Sequence, residues 1–166
     1  MTDTSNLTTI GRAERIQLPD VLGDAVVTAK IDTGADLSSL WASNIEIVDG
    51  DLHFTVLGPG SPQYTGQVIA VPAGEFDITR VANSFGQREE RYVIKTVIRV
   101  RGRRVSGTFT LADRSNKTYP ILLGRRLLKG KFIVDVAAGN PLKTEEKVKR
   151  ERMLQDLKAR SDKQEA

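Results

Sequence analysis

The segment Ala29–Leu40, "AKIDTGADLSSL", decides how the rest of the chain is read. It continues a β-type run, Val26 to Ile31, and then sets Asp32 beside Thr33 and Gly34, where strand propensity collapses. Locally this is a turn. Asp32 and Thr33 have short side chains that hydrogen-bond to nearby backbone, and Gly34 admits dihedrals that other residues avoid. A chemical reading stands beside the structural one: a catalytic carboxylate is best placed at the rigid end of a strand, held by its neighbours' amides.

Upstream of the turn, "RIQLPDVLGDAVVTAKID" reads as a strand, a turn bounded by Pro19 and Gly23-Asp24, and a second strand. Downstream, a short strand is expected at Ile45–Val48, then a hairpin turn at Asp49-Gly50-Asp51 and a strand through Leu52, Phe54 and Val56. Asp-Gly supplies the positive dihedrals of tight hairpins. The Gly- and Pro-rich "LGPGSPQYTGQ" is a loop. The clearest alternation places Tyr92, Ile94, Thr96, Ile98 and Val100 on one face, a turn near Arg101-Gly102-Arg103, and Val105, Gly107, Phe109 and Leu111 on the returning face. After Tyr119-Pro120, "ILLGRRLLKGKFIVDV" gives an apolar run, a short helix around Arg125–Leu128, a stop at Gly130 and a strand at Phe132–Val136. The sum is an all-β protein of short strands, a barrel or a sandwich, with one short helix and no internal repeat.

The length of 166 residues suits one domain with tails. A flexible N-terminal tail is expected at 1–9, the domain at 10–140, and a charged tail, as frayed helix or disorder, at 141–166. No apolar run approaches the ~20 residues that span a bilayer. The N-terminus lacks the basic start and apolar stretch of a secretory signal, so a cytoplasmic location is expected. With no cysteine and a single histidine, thiolate chemistry is excluded and the usual zinc ligands are nearly absent. His53 lies in the alternating "DLHFTV" and reads as an ordinary strand residue rather than a base. The formal charge of +4 favours anionic partners only where the charge clusters. One cluster is the hairpin tip "RVRGRR", read as a solvated end that discourages edge pairing rather than as a phosphate contact. In the C-terminal tail, acids are interspersed with the bases. Nucleic-acid binding is therefore the weakest functional reading.

Two ordered segments carry a resemblance. "AKIDTGA" followed by "YPILLGRRLL" resembles the retropepsin-like aspartic proteases, with their Asp-Thr-Gly-Ala turn and their apolar-apolar-Gly-Arg segment. "AKIDTGADLSSLWA", "EERYVIKTVI" and "YPILLGRRLLKGKFIVD" are more similar still to a bacterial branch labelled ATP-dependent zinc protease and associated with RimK-type ligases. The similarity runs from about Ile10 to Val136. It implies a closed acid-protease β-barrel. Asp32 would then be the catalytic carboxylate, Thr33 the hydroxyl linking two active-site turns, and Gly34 the amide supporting the carboxylate. Ala35 and Asp36 would lie near the substrate backbone, with Arg125, after Gly124, bracing Asp36 through its guanidinium fork. "ANSFGQREER" would be the flap closing over bound peptide, with Ser84, Phe85 and Gly86 at its tip. The "zinc" and "ATP" of that label gain no support, since the nitrogen and sulfur ligands of zinc are nearly absent and the sequence has no GxxxxGK(S/T) phosphate loop; no cofactor is expected. Trp41 stands where the resemblance leads one to expect a histidine in many bacterial relatives.

Peptide hydrolysis by aspartates uses two carboxylates sharing one proton, one as base on a water and one as acid toward the carbonyl oxygen. The chain contains one Asp-Thr-Gly. The enzyme reading therefore requires a homodimer in which Asp32 of a second copy completes the pair. Retroviral relatives build their interface from apolar chain ends, whereas both ends here are polar, so Phe132–Val136 and the strand near Ile16 are the expected substitutes. The alternative is a catalytically weak or inactive peptide-binding or regulatory module on the same scaffold.

Overall fold

The alternation from Tyr92 to Leu111 forms the longest hairpin of the protein, β8 (Arg88–Val100) against β9 (Arg103–Ala112). Ile94, Ile98, Val105, Phe109 and Leu111 turn inward and are buried. Val100 pairs with Arg103 across a two-residue turn whose residues, Arg101 and Gly102, have φ of 49° and 73°. That is the conformation whose twist matches paired strands. The computed structural model describes residues 5–82, 85–139 and 143–164.

The remaining elements follow the sequence signals with four additions, α1, β1, β6 and β7. β2 (Ala13–Gln17) and β3 (Val26–Ile31) flank the expected turn, which contains a one-turn helix, α1 (Pro19–Leu22), opened by its proline. β4 (Ser38–Val48) starts well before the expected Ile45 and pairs with β5 (Asp51–Val56) through the Asp49-Gly50 turn. Its early start depends on distant partners: the Ser38 carbonyl accepts the Thr110 hydroxyl and its Oγ accepts the Gly124 amide. Two short strands follow, β6 (Val68–Val71) and β7 (Asp77–Ala82). β10 (Ile121–Leu123), α2 (Arg125–Leu128) and β11 (Phe132–Val134) lie where expected. β1 (Thr8–Ile10) pairs in parallel with β11 and begins inside the segment assigned to the N-terminal tail, of which residues 1–4 lie outside the described residues. The charged C-terminal segment carries the helix α3 (Lys143–Gln164), with Met153, Leu154 and Leu157 exposed.

Strand order makes the architecture a ring. β10, β3, β2, β8, β9 and β4 are neighbours in that order, and β10 pairs with β4 to close the circuit. Inside it lie Val27, Ala29, Leu40, Ile98, Phe109, Ile121 and Leu123. β5 and β6 extend the sheet beyond β4, and β7 pairs with the outer part of β8. This is an all-β closed barrel with the short helix expected after Gly124. Ile16 is 1% exposed, on a strand hydrogen-bonded along both edges, so it offers no surface for a partner. Beside it Arg15 is exposed, and in the other expected segment Ile133 and Val136 are exposed.

The hairpin tip is largely exposed, as expected of a solvated end, and two of its arginines also brace the barrel from outside. Arg101 bonds to both carboxylate oxygens of Glu14, at 3.0 and 3.1 Å, and Glu14 is buried and also accepts the Gly11 amide at 2.8 Å. The hydrogen bond to Glu14, and then its charge, raise the Arg101 pKa above the ordinary arginine value. Arg103 donates to the carbonyls of Asn6 and Lys131 and lies over the Phe132 ring, 5.6 Å from its centroid, pinning the β1–β11 pair. These contacts join residues far apart in sequence, which no local pattern announces.

Breaking a fully buried pair costs about 3–5 kcal/mol, and the half-exposed Arg101 brings the expectation for Arg101→Ala down to about 2 kcal/mol in urea unfolding. Glu14→Gln keeps an acceptor for Gly11 and is expected to cost less. Equal stability of Arg101→Ala and the parent would show that the contact does not stabilise the barrel.

Candidate active site

Asp32 follows the buried Ile31 at the end of β3 and is tied to the closing strand, its amide donating to the Leu123 carbonyl at 2.9 Å. Its Oδ1 accepts the Gly34 amide at 3.0 Å and the Ala35 amide at 3.2 Å. The carboxylate is thus oriented by the turn it begins, and the residue stays half-buried. Gly34 supports Asp32 as the resemblance implied, and Ala35 joins it. Thr33 is exposed at the head of the turn.

The second signature packs beneath this turn. A Cβ on Gly124 would stand 2.5 Å from the Leu37 carbonyl oxygen and 2.9 Å from that of Ala35, so only glycine lets the two segments approach. The first amides of α2, which a helix leaves unpaired, are taken by the Asp32 loop: Arg125 N–H donates to the Ala35 carbonyl at 2.8 Å and Arg126 N–H to that of Asp36 at 3.2 Å. The Asp36 carboxylate meets Arg125 at 3.7 Å, the expected partner, and Arg126 at 2.8 Å, a nearer one. The doublet in "GRRLL" signals two cations, but which one points at Asp36 depends on the helix. Both pairs are largely exposed, so they orient the loop more than they stabilise it.

β7 and β8 form a hairpin in register from Asp77↔Val93 to Ala82↔Arg88, in the place of the expected flap. At its tip Phe85 is 90% exposed and Gly86 has φ of 76°; Ser84 lies outside the described residues. An edge-to-face contact of Phe76 with Tyr92, ring centroids 5.8 Å apart, anchors the hairpin base.

Arg114, in the loop after β9, escaped the sequence reading because nothing local marks it. Its Nε donates to the Tyr119 carbonyl at 3.0 Å. Burial, and then the charge of Arg91, push its pKa below the ordinary arginine value, while the charge of Asp32 acts the other way. Arg114 therefore stands within electrostatic reach of the candidate carboxylate. Among the described residues no group of three or more His, Asp or Glu is placed to hold a metal ion, and His53 is a half-buried residue of β5; this donor set does not fit zinc.

The supported carboxylate, the Gly-Arg segment locked under it and the hairpin in place of a flap occur together on one closed barrel. Residues 9–145 match the family described as RimB-like, retropepsin-like aspartic endopeptidase RimB. The chain belongs to the RimB-like family. Sequence similar to this chain also occurs inside longer proteins. A probable alpha-L-glutamate ligase of Shewanella pealeana is 30% identical over 128 residues, 76% of this chain but 28% of the ligase. One of Desulfotalea psychrophila is 29% identical over 130 residues, 77% of this chain and 28% of the ligase. The chain thus spans under a third of the curated relatives it matches. Among solved structures, a Legionella pneumophila protein of unknown function superimposes with a TM-score of 0.63 at 27% identity, covering 84% of this chain and all of that one.

Gly124→Ala forces backbone apart and is expected to destabilise by about 2–3 kcal/mol, measurable as a lowered denaturation midpoint. Arg125→Ala and Arg126→Ala each leave Asp36 one partner and are expected to stay within about 1 kcal/mol of the parent, with the double variant losing more than the sum. Strict additivity in that cycle would mean that the arginines do not share Asp36.

Proposed function

We propose that the chain is an aspartic endopeptidase acting as a symmetric homodimer, with Asp32 of each copy supplying one carboxylate. The observation that carries this reading is the half-exposed Asp32 carboxylate fixed by two amides at a strand end, in a chain with a single Asp-Thr-Gly. Asp36 is paired with arginines, and Asp113 and Asp135 each accept one amide outside an Asp-Thr-Gly turn, whereas Asp32 accepts two. In the dimer the deprotonated Asp32 takes a proton from water as that water attacks the peptide carbonyl, and the protonated partner gives its proton to the carbonyl oxygen. Thr33 links the two turns, Ala35 and Asp36 meet the substrate backbone, and Phe85 and Gly86 close over it. Gly124 and Arg125 act as structural support.

A groove of about 630 Å3 runs from Thr33 and Asp36 past Arg125, Arg126 and Leu128 to Phe132 and Val134. An apolar face bordering the incomplete site is where a second copy would dock. The reading places the enzyme in the cytoplasm without a membrane or nucleic-acid partner; no helix among the described residues is long and apolar enough to cross a membrane. Since the relatives are named for glutamate ligation, peptides bearing glutamate are the first substrates to try. The second reading, a peptide-binding or regulatory module, is favoured by the same relatives, in which such a domain is a minor part of a ligase-named protein.

Peptide cleavage is expected to require dimers in sedimentation and to disappear in Asp32→Asn. Excess Asp32→Asn chain added to the parent should lower its activity, because a mixed dimer holds one aspartate. The shared proton predicts a bell-shaped rate profile favouring mildly acidic pH. A parent that remains monomeric, or Asp32→Asn that cleaves at the parent rate, would sink the proposal. Peptide binding that survives Asp32→Ala in a chain without turnover would establish the module instead.

A further inference from the structure

The strand that ends in Asp32 also floors a second recess. Val26, Thr28 and Lys30 alternate along β3 with the buried Val27, Ala29 and Ile31, so they share the face from which Asp32 emerges. Thr28 is about 13 Å from Asp32 along this face, at ~3.3 Å per residue. There it helps to line a cavity of about 610 Å3, walled by Trp41, Arg15 and the loops that follow β5 and β9.

The walls are held in place before any ligand arrives. The Trp41 amide donates to the Pro120 carbonyl at 2.9 Å, and the Trp41 carbonyl accepts the Leu57 amide at 2.8 Å, so both loops are fastened to this residue. A Cβ on Gly58 would lie 2.6 Å from the indole Cζ2, which shows how flush the first loop sits on the ring. Turn hydrogen bonds from Ser61 N–H to Gly58, from Tyr64 N–H to Ser61 and from Lys117 N–H to Arg114 brace the loops. A recess built this way loses little freedom on binding. Its indole and prolines offer flat apolar sides suited to an extended chain, and Arg15 and Lys117 line it while no aspartate or glutamate does. That charge complements carboxylates.

We propose that this recess is a docking site for an acidic, extended segment of the substrate protein, remote from the bond that is cut. The word substrate rests on the peptidase reading; binding in the recess does not. Trp41 is the sole tryptophan, so its emission reports occupancy directly. The test titrates the full chain carrying Asp32→Asn, which removes turnover, with an Asp- and Glu-rich peptide free of aromatics and with its Asn and Gln counterpart. A saturable change in Trp41 emission is expected with the acidic peptide alone. Lys117→Glu should raise its Kd about tenfold, ~1.4 kcal/mol. With Asp32 intact, Lys117→Glu should raise KM for an acidic protein substrate and leave kcat unchanged. Emission that stays flat through millimolar peptide, equal response to both peptides, indifference to Lys117→Glu, or tighter binding of a mononucleotide would overturn the docking site. Cleavage that persists while the Trp41 response is missing overturns only this inference. A Trp41 response in a chain that cleaves nothing overturns only the peptidase reading.

Discussion

The structure depends on the closure of a ring by a very short strand. β10 contributes only Ile121, Leu122 and Leu123, yet it pairs in parallel with β3 and antiparallel with β4. Without it the sheet would keep two open edges, and the hydrophobic interior would be an exposed sheet face. Three residues can serve both neighbours because Ile121 and Leu123 are fully buried, so desolvation reinforces each ladder bond. The same closure sets the candidate chemistry: the last carbonyl of β10, on Leu123, receives the Asp32 amide. Barrel integrity and carboxylate position are therefore one constraint.

This linkage explains why the two signatures must occur together. The Asp32 turn exposes carbonyls at Ala35 and Asp36, and the amides that satisfy them belong to the first turn of α2. Neither segment satisfies its backbone polar groups without the other. Gly124 is the point of nearest approach, and the Ser38 hydroxyl that accepts its amide anchors β4 to the same junction. A carboxylate held this way is positioned by the backbone, while the exposed arginines around Asp36 trim its outer rim.

Much of this was legible in sequence because it is local. Alternation gave the long hairpin, Asp-Gly the tight turn at β4–β5, and glycine followed by paired arginines the helix start at Arg125. What escaped has partners far away in the chain. The early start of β4 at Ser38 depends on Thr110 and Gly124, and the roles of Arg101 and Arg103 depend on Glu14 and Lys131. Arg126 over Arg125 as the nearer partner of Asp36 follows from a helix phase that a four-residue element does not display as periodicity. Arg114 is invisible for the same reason: its neighbourhood with Asp32 exists only after β9, its following loop and β10 have folded back across the barrel.

The long strand β8 belongs to three partnerships. From Val93 to Val100 it is zipped to β9 within the ring, with β2 on its other edge at Arg99 and Val100, and from Arg88 to Tyr92 its partner is β7 alone among the described strands. The barrel end is further clamped where Arg101 grips Glu14. Any swing of the tip bearing Phe85 must therefore pivot near Tyr92 and Val93, beside the ring contact with Phe76. A displacement of this two-stranded arm would leave the pairing of the wall that holds Asp32 unchanged.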